Sequence, residues 1–176
     1  MVNLISELLP FGVFIFNIAT AILLWALIFK NSWGRGVSLW VGKNALVLGF
    51  LVSLAAVSGS LFYSVVIGFE PCLLCWWQRI AIFPLLVLFF VALFYKDRGV
   101  FRYALPLSVI GALIAIYNLY VQSGGSLAVC DGVNSCDRLY VLALGYVTIP
   151  AMSLSIAVAV ILLWWSNKIY NANRNS

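Results

Sequence analysis

The sequence predicts an all-α integral membrane protein, a bundle of five transmembrane helices, on three observations. Of its 176 residues, 65% are hydrophobic and only 9% charged, with a mean hydropathy of +1.10. Water-soluble domains carry about 45–50% apolar and about 25% charged residues. The apolar residues fall into five long runs, at 8–29, 44–67, 76–95, 103–121 and 143–165. Each is close to the ~17–25 residues that a helix needs to cross a hydrocarbon core of about 30 Å. The alternating segments of about ten residues that mark a transmembrane barrel are absent from the sequence. So short a chain has no room for a large soluble domain beside these spans, and one membrane domain is expected.

The first run could be a cleaved signal peptide, but its start lacks Lys and Arg and carries Glu7, whereas a signal peptide wants a basic leading segment. Apolar sequence also continues from Ile22 to Phe29 through the only cleavage-like triplet, Ala19-Thr20-Ala21. The run is therefore read as a span, and with the basic loop after it forms an N-terminal unit over 1–43. The second run carries the small residues Ser53, Ala56 and Ser60. They read first as close helix packing in lipid and second as a slot for a flat lipid-soluble ring. Gly111 and Ala115 in the fourth run, and Ala151, Ser155 and Ala159 in the fifth, have the same two readings. Asn118 and Gln122, one turn apart at the end of the fourth run, are either interhelical hydrogen-bonding groups or donors to such a ring.

The start of the third run is led into by Pro71-Cys72-Leu73-Leu74-Cys75-Trp76-Trp77-Gln78-Arg79. Proline is best tolerated in a first helical turn, and a helix starting there would set Cys72, Cys75 and Arg79 on roughly one face. The positive end of a helix dipole and a neighbouring arginine both favour a thiolate. Arg79, an ionisable residue within a span, is a functional-site candidate; its plainer reading is a cation that snorkels to the interface beside Trp76 and Trp77. Between the fourth and fifth runs, Cys130 and Cys136 enclose the turn-rich Asp131-Gly132-Val133-Asn134-Ser135, which makes a local disulfide loop easy to close. Zinc fits poorly, because the pairs are badly spaced for a ribbon or finger and the chain has no histidine. Redox use and purely structural disulfides both stay open.

Basic residues in short loops mark the cytoplasmic side. Eight of the ten, Lys30, Arg35, Lys43, Lys96, Arg98, Arg102, Lys168 and Arg174, fall on one face if every run spans. The other face receives the N-terminus, both cysteine loops and four of the five acids. An N-out, C-in topology follows, with 168–176 as a cytoplasmic tail. The net charge of +5 then reports orientation, and no nucleic-acid partner is needed to explain it. All four cysteines fall on the extracytoplasmic face, where disulfides persist.

These features together resemble the bacterial disulfide bond formation protein B (DsbB) family, and more closely its compact BdbC-like branch. The likeness rests on "EPCLLCWWQR" opening a span, a later loop with two cysteines, and "GYVTIP" early in the last span, and it covers roughly 44–165. The resemblance implies a four-helix transmembrane bundle over 44–167, with the first span as an extra N-terminal helix, in the bacterial cytoplasmic (inner) membrane. It implies an enzyme that reoxidises an extracytoplasmic, DsbA-like thioredoxin-fold thiol oxidase and passes electrons to a quinone, ubiquinone or menaquinone. Cys72–Cys75 would be the quinone-proximal disulfide, with Cys75 the thiolate at the quinone and Arg79 at the quinone site. Cys130–Cys136 would be the disulfide that meets the partner, Cys130 forming the mixed disulfide.

The chain departs from the pattern in three places. Its first span has no counterpart, its second cysteine loop is short, and Tyr117-Asn118-Leu119-Tyr120 stands where some members carry a histidine. Two rival readings are a vitamin K epoxide reductase-like enzyme and a scaffold whose disulfides are only staples. The first is disfavoured because the C-x-x-C here precedes the loop pair.

Overall fold

In the structure, a computed structural model, residues 2–29, 32–125 and 148–174 are described, with side chains from Pro10 onward. Six helices follow in order: α1 (Val2–Ile28), α2 (Ser32–Lys43), α3 (Ala45–Leu61), α4 (Leu73–Tyr95), α5 (Phe101–Gln122) and α6 (Ile149–Arg174). Five are long and apolar enough to cross a membrane, over Pro10–Ile28, Ala45–Val66, Leu73–Tyr95, Arg98–Gln122 and Ile149–Arg174. The described residues contain no strand. The protein is therefore a multi-pass helical membrane protein.

The helices α3, α4, α5 and α6 close a ring, each packed on the next and α6 returning to α3. Small residues permit the close approaches. A Cβ on Gly49 would stand 2.6 Å from the Phe89 ring, and one on Gly111 only 3.3 Å from the Ala81 methyl. Ser53 is wholly buried and satisfies its hydroxyl by donating to the Gly49 carbonyl at 2.7 Å. Phe89 is also fully buried and meets Phe101 edge-on at 5.4 Å, in a core shared with Leu85, Ala104, Val160 and Leu163. Outside the ring, α2 packs on α6, and α1 on both α2 and α6.

Three details differ from the sequence reading. The basic segment after the first span, read as loop, holds the amphipathic helix α2, which buries Gly34, Ser38, Val41 and Gly42 and exposes Trp33 and Trp40. Its short apolar stripe is buried only by packing against α6 and α1, so no long hydrophobic run announces it. The last helix continues past 165 to Arg174, because Asn167 and Lys168 find partners in Arg98 and the Trp164 ring. The third span starts at Leu73 rather than in a turn containing Pro71.

Candidate functional site

The head of α4 is built by its N-cap. Cys72 has extended backbone (φ −67°, ψ 169°), and its sulfur accepts the Cys75 backbone N–H at 3.4 Å. A serine or aspartate commonly plays this part at a helix start. Capping requires a non-helical Cys72, which is why Pro71 falls before the helix. The two sulfurs lie 2.9 Å apart as free thiols joined by a hydrogen bond. The Cys75 thiol donating to it pulls the Cys72 thiol down to about 6, against the opposing effect of burial and helped by the backbone N–H groups of Cys75 and Leu74. Cys72 is thus largely thiolate at neutral pH in the reduced pair.

The sulfurs face different surroundings. Cys72 is 5% exposed and packs with Leu74, Val121 and Tyr117 against the end of α5. Cys75 touches the same cluster but also lines a cavity of about 440 Å³ bounded by α1, α3, α4 and α6, together with Gln78, Arg79 and Ile82. These four positions make one helical stripe. Cys72 stands off it, because its backbone is not yet helical.

Arg79 is held from across the bundle. Its Nε donates to Ser60 Oγ at 3.0 Å, one Nη donates to the Ser60 carbonyl at 3.1 Å, and its guanidinium lies 5.2 Å from the Trp76 ring. Just beyond Ser60 the helix widens into a π-turn over Phe62–Val66; such turns recur at functional sites. Trp76 and Trp77 themselves remain about half exposed (53% and 51%). The interfacial and the functional reading of Arg79 therefore meet in one geometry: a cation stacked on an interfacial ring, locked by Ser60, and lining the cavity.

The cavity walls are chiefly apolar, from Val52, Ala55, Ile82, Phe83, Met152 and Ile156. Two buried polar groups on it have no hydrogen-bond partner, Gln78 Nε2 and Tyr63 Oη. An unpaired buried donor is costly, and both would be satisfied by the oxygens of a flat, largely apolar ring. The residues present therefore fit a quinone. The small residues divide between the two uses foreseen for them: Ser53, Gly111, Ala115 and Ala159 pack, whereas Ala56, Ser60 and Ser155 line the cavity. Asn118 is wholly buried, lies beside the Cys75 thiol, and finds no partner of ordinary hydrogen-bond geometry for its amide. Gln122 likewise leaves its Oε1 unpaired.

Cys130 and Cys136 lie outside the described residues, with the loop that carries them. Gln78, Tyr63 and the Arg79–Ser60 clamp were not foreseen. Gln78 was findable in principle, as a polar residue three positions after Cys75 inside a span. The clamp was not, because it joins positions 19 apart on separate helices.

Comparison with known proteins agrees with this architecture. The family profile "Disulfide bond formation protein DsbB" matches residues 42–167. The chain is 40% identical over 113 residues to the SPbeta prophage-derived disulfide bond formation protein B of Bacillus subtilis, covering 63% of this chain and 76% of that one. To a probable disulfide formation protein of Chlamydia caviae it is 37% identical over 113 residues, 63% and 82% of the two chains. To probable disulfide formation protein C 2 of Bacillus cereus it is 30% identical over 128 residues, 71% and 92% of the two chains. No solved structure matches.

Proposed function

The chain belongs to the disulfide bond formation protein B family, whose members are membrane oxidoreductases, and from that premise we propose that it reoxidises an extracytoplasmic thioredoxin-fold thiol oxidase and delivers the electrons to a membrane quinone. The observation that carries this reading is the placement of Cys75 and Arg79 on one apolar cavity with the unpaired Gln78 amide. A quinone, ubiquinone or menaquinone, would supply the capacity to take up two electrons and two protons and to leave through lipid as quinol. Arg79, Gln78 and Tyr63 would hold its ring oxygens.

The cysteine ends of the helices face the extracytoplasmic side, with the N-terminus outside and the C-terminus in the cytoplasm. The reduced partner's thiolate attacks the Cys130–Cys136 disulfide, forming a mixed disulfide through Cys130 and releasing Cys136 as a thiolate. The partner's second thiolate then attacks the partner sulfur of that mixed disulfide, so the partner departs with its own disulfide formed and Cys130 is expelled as a thiolate beside the already reduced Cys136. Cys130 next attacks the Cys72 sulfur. A Cys72–Cys130 bond forms, the Cys72–Cys75 bond breaks, and Cys75 leaves as thiolate into the cavity. There it lies beside the Asn118 side chain and on the same cavity wall as Arg79. Attack of Cys136 on Cys130 restores the loop disulfide and frees Cys72, whose N-cap position favours its thiolate. The Cys72–Cys75 disulfide re-forms as two electrons and two protons pass to the acceptor.

The test is oxidation of a reduced thioredoxin-fold protein by the purified chain in quinone-containing micelles. Cys75→Ser should abolish turnover, and Arg79→Ala should mainly raise the quinone KM. Full activity in Cys75→Ser would overturn the scheme. A scaffold with stapled loops would leave the disulfides oxidised beside a reduced partner.

A further inference from the structure

The helix α1 precedes the region the family profile matches, 42–167, yet it supplies Gly12, Val13 and Phe16 to the cavity wall. Its attachment is uneven. At its C-terminal end Ala26 and Leu27 are each 2% exposed, and α2 comes so close that a Cβ on Gly34 would stand 2.7 Å from the carbonyl oxygens of Ala26 and Phe29. Further toward the N-terminus the helix turns Phe11, Phe14, Ile15 and Ile18 to the outside. Only 11% of its span is buried, against 44% for α6, so α1 is a peripheral helix. It packs on α2 and α6 and meets α3 and α4 across the cavity. A Cβ on Gly12, or on Gly59 of α3, would meet no atom within 4 Å, so both backbones border open space.

We propose that α1 is the specificity wall of this cavity: Val13 and Phe16 set how bulky a lipid-borne quinone ring can lie against Cys75 and Arg79. The proposal rests on the quinone reading of the cavity. Four helices alone would leave this side bounded by fluid lipid tails, which adapt to any ring. A helix anchored at one end replaces them with fixed side chains, and fixed apolar contacts discriminate by volume. The unpaired Gln78 amide on the facing wall fixes where the ring oxygens go, so added bulk must press against α1.

The experiment titrates the full chain in detergent with a one-ring benzoquinone and a two-ring naphthoquinone carrying the same short tail, binding being read by quenching of intrinsic tryptophan fluorescence. Val13→Phe should weaken the two-ring ligand about tenfold more than the one-ring ligand, the scale of excess bulk in an apolar pocket. Phe16→Ala should move the ratio the other way. Ile15→Phe, on the same helix at a position 67% exposed and off the cavity, should leave the ratio unchanged. A wild-type ratio in both cavity variants, or an equal shift in Ile15→Phe, would overturn the proposal. If the wild-type chain binds neither ligand, the quinone reading itself falls, and this inference with it.

Discussion

Cys72 owes its acidity to where its helix begins. At the N-cap its sulfur is the acceptor for the Cys75 thiol and for backbone N–H groups that no carbonyl of α4 can reach. Alkylation of the reduced protein by iodoacetamide should therefore follow a thiolate titrating at about 6, below the usual cysteine value of about 8.5. Cys75→Ala removes the largest contribution and should move the inflection upward. A wild-type inflection at the free-cysteine value would refute the assignment. The shift also links to stability, with a definite sign. A lowered folded-state pKa stabilises the reduced protein fully above the unfolded value of about 8.5, and that contribution is lost as pH falls through about 6. The oxidised pair has no thiol to titrate there, so acidification should penalise the reduced form alone.

The helix α2 is held to the bundle by one arginine and one glycine. Arg98 donates through Nη1 to the Gly42 carbonyl and to Asn167 Oδ1, both at 2.8 Å, and through Nη2 to the Lys43 carbonyl at 2.7 Å. It thereby caps the C-terminal carbonyls of α2 and ties them to α6, while stacking 4.7 Å from the Tyr170 ring. Arg98→Ala should lower the thermal midpoint in detergent by the equivalent of about 2 kcal/mol, since a hydrogen bond to a charged group is worth about 1.5–3 kcal/mol. Arg98→Lys should rescue little, because a single ammonium cannot span three acceptors in a fork. Gly42→Ala should be at least as damaging, because the added Cβ would collide with the Ser166 carbonyl oxygen and lie 2.6 Å from Tyr170 Cβ. Wild-type midpoints in all three variants would show that α2 is not clamped in this way. This element also marks how far a sequence can be read. The spans were legible because each must be apolar over its whole length, whatever its neighbours. By contrast α2 is short and holds Gly34, Gly36 and Gly42, which oppose helix formation in isolation, so its existence depends on packing against α6 and α1. Cys72, Cys75 and Arg79 were legible as a local motif, whereas the Ser60 clamp and the cavity face of Gln78 exist only once α3 and α4 are side by side.

Across the whole molecule the two ends of the bundle differ in chemistry. At one end the tips of α2 and α6 and the turn before α5 converge on Arg98, with Lys43, Lys96, Arg102, Lys168 and Arg174 on the same elements. At the other end lie Cys72, Cys75 and the end of α5. The proposed function needs this division, because the proposed thiol partner would be in water outside the cytoplasm and the proposed quinone in lipid, and the cysteines would sit where the two meet. Positive charge is retained on the cytoplasmic side during insertion, and the orientation proposed on that rule has the Arg98 end inward and the cysteine end outward. The orientation is open to a direct test with neutral substitutions that leave the charge pattern intact. Ser123 and Asn173 are both exposed, at opposite ends of the bundle. In a chain whose four native cysteines are replaced by serine, a membrane-impermeant maleimide applied to intact cells should label Ser123→Cys. It should reach Asn173→Cys only after the cells are permeabilised. The reverse pattern would place the cysteine pair in the reducing cytosol, where disulfides are rare, and an extracytoplasmic thiol oxidase could no longer be its partner.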